Sequence, residues 1–261
     1  MRSIVVGAEV LAGIGLAASC KSYGEQGESG GAADAAADGA TGSTDASSTD
    51  VDSPNGGPCD GGATFCDDFE MDPLGARWSR VATASSGQVA LQSPGHSGGR
   101  ALRASTTGAQ GAEASLIQTF AGPARSIVCT TWMKVENLSS TLSPVMDIHI
   151  LPPGYSDYVV ALYLSTTTTR FFRLSSVEGT TQNDLAALQT GTWLEVRLDA
   201  RLSPPPASAT LFLDGTQVAQ LPLADAVANA VMPSLELGIG VSPAGAQATI
   251  WYDDVSCDLT K

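Results

Sequence analysis

The chain has 261 residues, 43% of them hydrophobic, which is enough for one domain with a substantial core. A formal net charge of -14 argues against nucleic-acid phosphates or anionic lipid headgroups as partners, because both demand clustered Lys and Arg. Two His and five Cys stand in no zinc-ligand spacing, which argues against a zinc enzyme.

The chain starts with basic Met1-Arg2-Ser3, continues apolar from Ile4 to Ala18, and reaches the small-residue run Leu16-Ala17-Ala18-Ser19 just before Cys20. This start resembles a bacterial lipoprotein signal, although Glu9 inside the apolar run departs from the pattern. The resemblance implies cleavage between Ser19 and Cys20, lipid on the Cys20 sulfur, and a place in the bacterial cell envelope, periplasmic or at the cell surface. Membrane contact is then through the lipid alone. The run is shorter than the roughly 20 apolar residues that span a bilayer. Residues 1–19 are expected to be the signal and 20–57 the lipidated Cys with a linker.

From Lys21 to Gly57, Gly, Ala, Ser, Asp and Thr supply 29 of the 37 residues, and no Leu, Ile, Phe or Trp occurs. Such a segment buries too little apolar surface to offset the entropy of ordering, so a solvated, disordered tether is expected. Its seven carboxylates against one Lys favour extension by mutual repulsion.

The folded domain is expected over 58–261. Cys59 and Cys66 bracket Gly61-Gly62, and Phe65, Asp67 and Phe69 alternate with Cys66, Asp68 and Glu70. An exported chain meets an oxidising compartment, where four thiols remain once Cys20 is lipidated and three pairings are open. The favoured one joins the local pair Cys59 and Cys66 and links an internal strand to the last strand through Cys129 and Cys257. Short strand-like runs follow at Gln88 to Gln92, Arg100 to Ser105, Glu113 to Phe120, Ser126 to Val135, Pro144 to Leu151, Tyr158 to Ser165 and Thr169 to Leu174. Pro94-Gly95, Gly122-Pro123 and Pro152-Pro153-Gly154 punctuate them.

In Thr192 to Leu221, Trp193, Glu195, Arg197 and Asp199 alternate with Leu194, Val196 and Leu198, the pattern of a half-buried strand. Ala209 to Leu213, Asp214-Gly215 and Thr216 to Leu221 then read as a tight hairpin. Leu223 to Ala230 is the one short helix expected, before strands at Ser234 to Val241 and Ala246 to Val255.

The order of these features, from Phe65-Cys66-Asp67-Asp68-Phe69-Glu70 and Ser93-Pro94-Gly95-His96 through TWLEVRLD and LFLDGTQVA to the closing WYDDV, resembles the laminin-G and concanavalin A-like lectin/glucanase superfamily. The resemblance covers about Phe65 to Cys257. It implies an all-β, two-sheet antiparallel jelly-roll sandwich, and a structural calcium tying the first strand to the last through Asp67, Asp68, Glu70, Asp253 and Asp254.

It also implies a glycan as partner on the concave sheet, with Asp147, His149, Tyr155, Tyr158, Tyr163, Arg170 and Arg173 as candidate ligand-binding residues and Trp132 beside them. Trp132 and Trp193 are expected rather to be core residues. Retaining glycosidases of this superfamily carry two carboxylates on one strand as Glu-x-Asp-x-x-Glu or Glu-x-Asp-x-Glu, and no such pattern occurs here. Asp147-Ile148-His149 partly echoes the Gln-Ile-His of the alginate-lyase branch, but that branch's Arg-x-Glu-x-Arg and Tyr-Phe-Lys-Ala-Gly motifs are missing. The expectation is therefore a non-catalytic binding or adhesion module. A polysaccharide hydrolase or lyase, or an inert surface protein, are the alternatives.

Overall fold

The computed structural model describes Cys59 and residues 62–71, 73–156 and 158–261. The expected signal, Cys20 and the expected linker lie outside the described residues. Fifteen strands follow one another among the described residues. They are β1 (Phe65–Asp67), β2 (Arg80–Ala84), β3 (Gln88–Gln92), β4 (Ala101–Thr107), β5 (Ala112–Thr119), β6 (Ser126–Leu138), β7 (Ser143–His149) and β8 (Tyr158–Leu164). Then come β9 (Thr168–Ser175), β10 (Gly179–Ala186), β11 (Trp193–Arg201), β12 (Ser208–Leu213), β13 (Thr216–Pro222), β14 (Ser234–Ser242) and β15 (Gln247–Thr260). The helix expected at 223–230 is a 3-10 turn over Asp225–Asn229, too short to bury an amphipathic face.

The strands form two antiparallel sheets. The eight-stranded one runs β13-β12-β11-β6-β15-β4-β3 with β1 added on β15, and the seven-stranded one runs β10-β9-β8-β7-β14-β5-β2. Alternation decides the faces. Met133 and Val135 of β6, Val196 and Leu198 of β11, and Ile250 and Tyr252 of β15 point inward. They meet Leu116 of β5, Ile148 of β7, Leu162 of β8 and Leu237 of β14 in one buried layer.

β15 is the spine of the larger sheet. It pairs with β6 along Ala248 to Thr260, with β4 along its first half and with β1 along its second. Cys129 and Cys257 are register partners on β6 and β15, both fully buried, and form one disulfide; Cys59 and Cys66 form the other. At the β12–β13 turn Asp214 and Gly215 take φ of 46° and 71°, both left-handed as a two-residue hairpin of this twist requires.

Candidate functional site

The outer face of the seven-stranded sheet carries a row of side chains fixed by register alone. Arg80 of β2 opposes Ile117 of β5, which opposes Glu236 of β14 and then Asp147 of β7; the row continues through Ala161 of β8 and Phe172 of β9 to Gln182 of β10. His149 stands two residues along β7 from Asp147, hence on the same face.

Asp147, His149 and Glu236 each bring a ligand atom to within 4.8 Å of the other two. His149 Nε2 lies 3.4 Å from Glu236 Oε2, and Ser115 Oγ–H donates to Glu236 Oε1 over 2.8 Å. Asp147 is almost fully buried and Glu236 largely so, whereas the His149 ring is about one-third open, with its side chain 34% exposed. Burial penalises the Glu236 carboxylate, yet hydrogen bonding and charge from His149, the Ser115 hydroxyl and the positive field of Arg80 outweigh it. The carboxyl is held below the usual glutamate range. Glu113, two residues from Ser115 on β5, goes the other way: burial and the Glu236 charge raise it against the opposing pull of Arg80.

Beneath the row, Tyr252 reaches across the core. Its hydroxyl donates to the Val145 carbonyl at 2.7 Å, with the Gly238 carbonyl at 3.4 Å. Val145 sits in the β7 register shift, and Gly238 has φ of 124°, where a Cβ would lie 2.4 Å from the Ala114 carbonyl oxygen. Tyr252 thus holds the two irregular backbones that flank Asp147 and Glu236. Burial first, then the charges of Asp147 and Glu236, push its phenol well above the ordinary tyrosine range.

Of the residues expected to bind ligand, Asp147, His149, Tyr163 and Arg170 share this face. Tyr163 packs edge-on against Phe172 at 4.6 Å, and Arg170 makes two bonds to Asp184, at 2.7 and 3.2 Å. Tyr158, Arg173 and Tyr155 are corrections. Tyr158 and Arg173 differ by an odd number of residues from Tyr163 and Arg170 on the same strands, so they point to the opposite face. The Tyr158 hydroxyl accepts the Ala224 N–H, Arg173 holds Glu178 and Thr181, and Tyr155 stands in the β7–β8 loop donating to Glu178.

The calcium set is not assembled either; among the described residues the one group with metal-ligand spacing is Asp147, His149 and Glu236. The five expected carboxylates fasten loops instead. Asp67 accepts from the Phe69 N–H and from Trp78 Nε1, Asp68 from the Glu70 N–H, and Glu70 from the Arg100 N–H. Asp253 accepts the N–H groups of His96, Ser97 and Asp254, while Asp254 accepts from the Ser97 hydroxyl and meets His96 Nδ1 at 3.1 Å.

Burial and the neighbouring Asp254 charge raise the Asp253 carboxyl to about 6, against the pull of those three N–H groups. Folding therefore favours its protonated form, and its contribution to stability falls as pH rises from the unfolded value near 4 to about 6. In Asp253→Asn the melting temperature relative to the parent is expected to climb across that window and level off above it. A difference that stays constant with pH would sink this assignment.

No family model matches the chain, and no curated protein does. Solved structures do match. Cellulose induced protein, Cip1, aligns over 74% of this chain and 96% of its own at 14% identity and a TM-score of 0.57. A glycoside hydrolase family 16 endo-glucanase from Bacteroides ovatus aligns over 74% and 99%, at 10% identity and 0.52. Alginate lyase A1-II', of polysaccharide lyase family 7, aligns over 69% and 86%, at 12% identity and 0.50.

The fold is the concanavalin A-like jelly roll. The expectation of a non-catalytic module is overturned: the matching folds include a glucanase and a lyase. The one-strand carboxylate pattern is missing, but a carboxylate pair, Asp147 and Glu236, is built across β7 and β14. Glu236, Ser115 and Glu113 escaped the sequence reading. The only signal for Glu236 was one acid inside the apolar run Ser234 to Val241.

Proposed function

We propose that the domain is a polysaccharide-active enzyme that hydrolyses a neutral glycan by double displacement. The observation that carries this is the carboxylate pair Asp147 and Glu236, register partners with ligand atoms within 4.8 Å. Retaining glycosidases hold their two carboxyl groups about 5 Å apart, whereas an inverting pair needs room for a water between them. Two carboxylates this close do not both ionise cheaply. His149 and Ser115 stabilise the negative charge on Glu236, which assigns Glu236 the role of nucleophile and Asp147 that of acid and base.

Glu236 attacks the anomeric carbon while Asp147 protonates the departing glycosidic oxygen. Water, deprotonated by Asp147, then releases the sugar from the Glu236 ester. Phe172, about 10 Å from Asp147 across two strand spacings, and Tyr163 packed against it offer apolar surface to a neighbouring sugar ring.

Elimination from a uronate is disfavoured by charge. It needs groups that neutralise the substrate carboxylate, and the arginines on this face are engaged: Arg80 faces Glu113 at 3.9 Å and Arg170 binds Asp184. The test is a panel of β-glucan, xylan, mannan, alginate and pectate incubated with the full chain. New reducing ends from a neutral glycan, with retained anomeric configuration, are expected. Unsaturated products from a polyuronate, or no product from any member, would overturn the reading.

A further inference from the structure

Only one of the four tryptophans, Trp78, lies in the core cluster. The other three stand on the outer face of the eight-stranded sheet, on the far side of the sandwich from Asp147 and Glu236. There Trp193 of β11, Lys134 of β6, Trp251 of β15 and Arg103 of β4 form one register row.

The Lys134 ammonium lies 4.7 Å from the Trp193 ring centroid and 4.6 Å from that of Trp251, held by both aromatic faces. Trp251 Nε1–H donates to Glu136 Oε2 over 2.6 Å, and Arg103 Nε–H reaches the same oxygen at 3.4 Å. The Trp251 bond, with Arg103 and Lys134, keeps the Glu136 carboxyl below the usual range despite partial burial. A fixed donor and a fixed acceptor are thereby set side by side over an indole floor.

They border a depression of about 370 Å³, completed by Thr190 and Gly191. The segment before β11 is pinned over β6 by the Gly191 N–H on the Val135 carbonyl at 2.7 Å. Thr190 also borders a second depression of about 430 Å³, whose walls include Leu188, Gln189 and Ser165. Thr190 lies on the rim of both depressions, which we take together as one open trough.

We infer that this trough is a second, non-catalytic binding site for a neutral carbohydrate chain. Sugars present apolar C–H faces alternating with hydroxyls that both donate and accept. The trough matches both aspects, with Leu188 and the open edge of the largely buried Trp251 for the former, and Lys134, Glu136, Thr190 and Gln189 for the latter. It lies on a different face and uses different residues from the hydrolytic pair, and it stands whether or not that pair is catalytic.

The test uses the full chain carrying Asp147→Asn and Glu236→Gln, so that no hydrolysis intrudes. Its affinity for soluble β-glucan, xylan and mannan is measured by calorimetry and by mobility in polysaccharide-loaded native gels. Adding Lys134→Met, which keeps the apolar stem over the indoles, or Gln189→Ala in the adjoining depression, is expected to weaken binding of the preferred polymer by about tenfold. Unchanged affinity in both additions, with unchanged melting temperature, overturns the site. So does the absence of binding to every neutral polymer.

Discussion

Glu236→Gln is expected to lower glycan hydrolysis by about a thousandfold or more while the domain stays folded. The substitution keeps shape, and the amide oxygen still accepts from the Ser115 hydroxyl, whose bond to Glu236 Oε1 measures 2.8 Å. What is lost is the negative charge that attacks carbon. Asp147→Asn removes the proton donor instead and is expected to cost about a hundred- to ten-thousandfold, least for substrates whose leaving group needs no proton. Because the two act on one bond, the double variant is expected to be little worse than Glu236→Gln alone.

Added azide separates the roles: in Glu236→Ala, whose truncated side chain leaves room for it, azide is expected to restore turnover by taking the nucleophile's place and to give a product of inverted configuration. Full activity in Glu236→Gln, with melting temperature unchanged, would remove the carboxylate pair from the mechanism.

Loss of the Cys129–Cys257 disulfide carries the largest expected effect on stability. The bond closes a loop of 128 residues, and the chain-entropy relation gives about 5 kcal/mol for a loop of that length. The Cys59–Cys66 bond spans seven residues, for which the same relation gives about 2 kcal/mol. Paired Cys→Ala variants should therefore separate clearly in thermal scans, the buried pair melting lower by the larger margin. Both Cys129 and Cys257 are fully buried, so packing loss adds to the difference. Equal melting temperatures for the two paired variants would show that the long closure contributes nothing beyond the short one.

The strands that alternate apolar and polar residues were legible: Trp193–Arg201 is read from its period of two, and the Asp214-Gly215 hairpin from its turn chemistry. β10 escaped because Gly179–Ala186 is an edge strand of mostly polar residues, with little apolar signal to read. β2 is only five residues, Arg80–Ala84, and also lies at an edge. Half of the candidate site was legible, since Asp147 and His149 share a strand at even spacing. Glu236 was not, because β7 meets β14 only through a crossover, and no local pattern tells which distant strand lies alongside. Tyr158 and Arg173 were misplaced by treating every polar or aromatic residue of a strand as if it shared one face. Trp132 and Trp193 are half-buried on an outer face, where the cations and the His96 ring, stacked 3.9 Å from Trp132, shield the indoles in place of a core.

The position of β15 in the larger sheet bears on how the protein is made. Until residues 247–260 have left the ribosome, β6 and β4 have no neighbour on that side, and the sulfur of Cys129 has no partner. Two long, sticky edges are then open to other chains, so a product truncated before residue 247 is expected to aggregate rather than to persist as a smaller domain. The larger sheet is consequently completed only when β15 joins it.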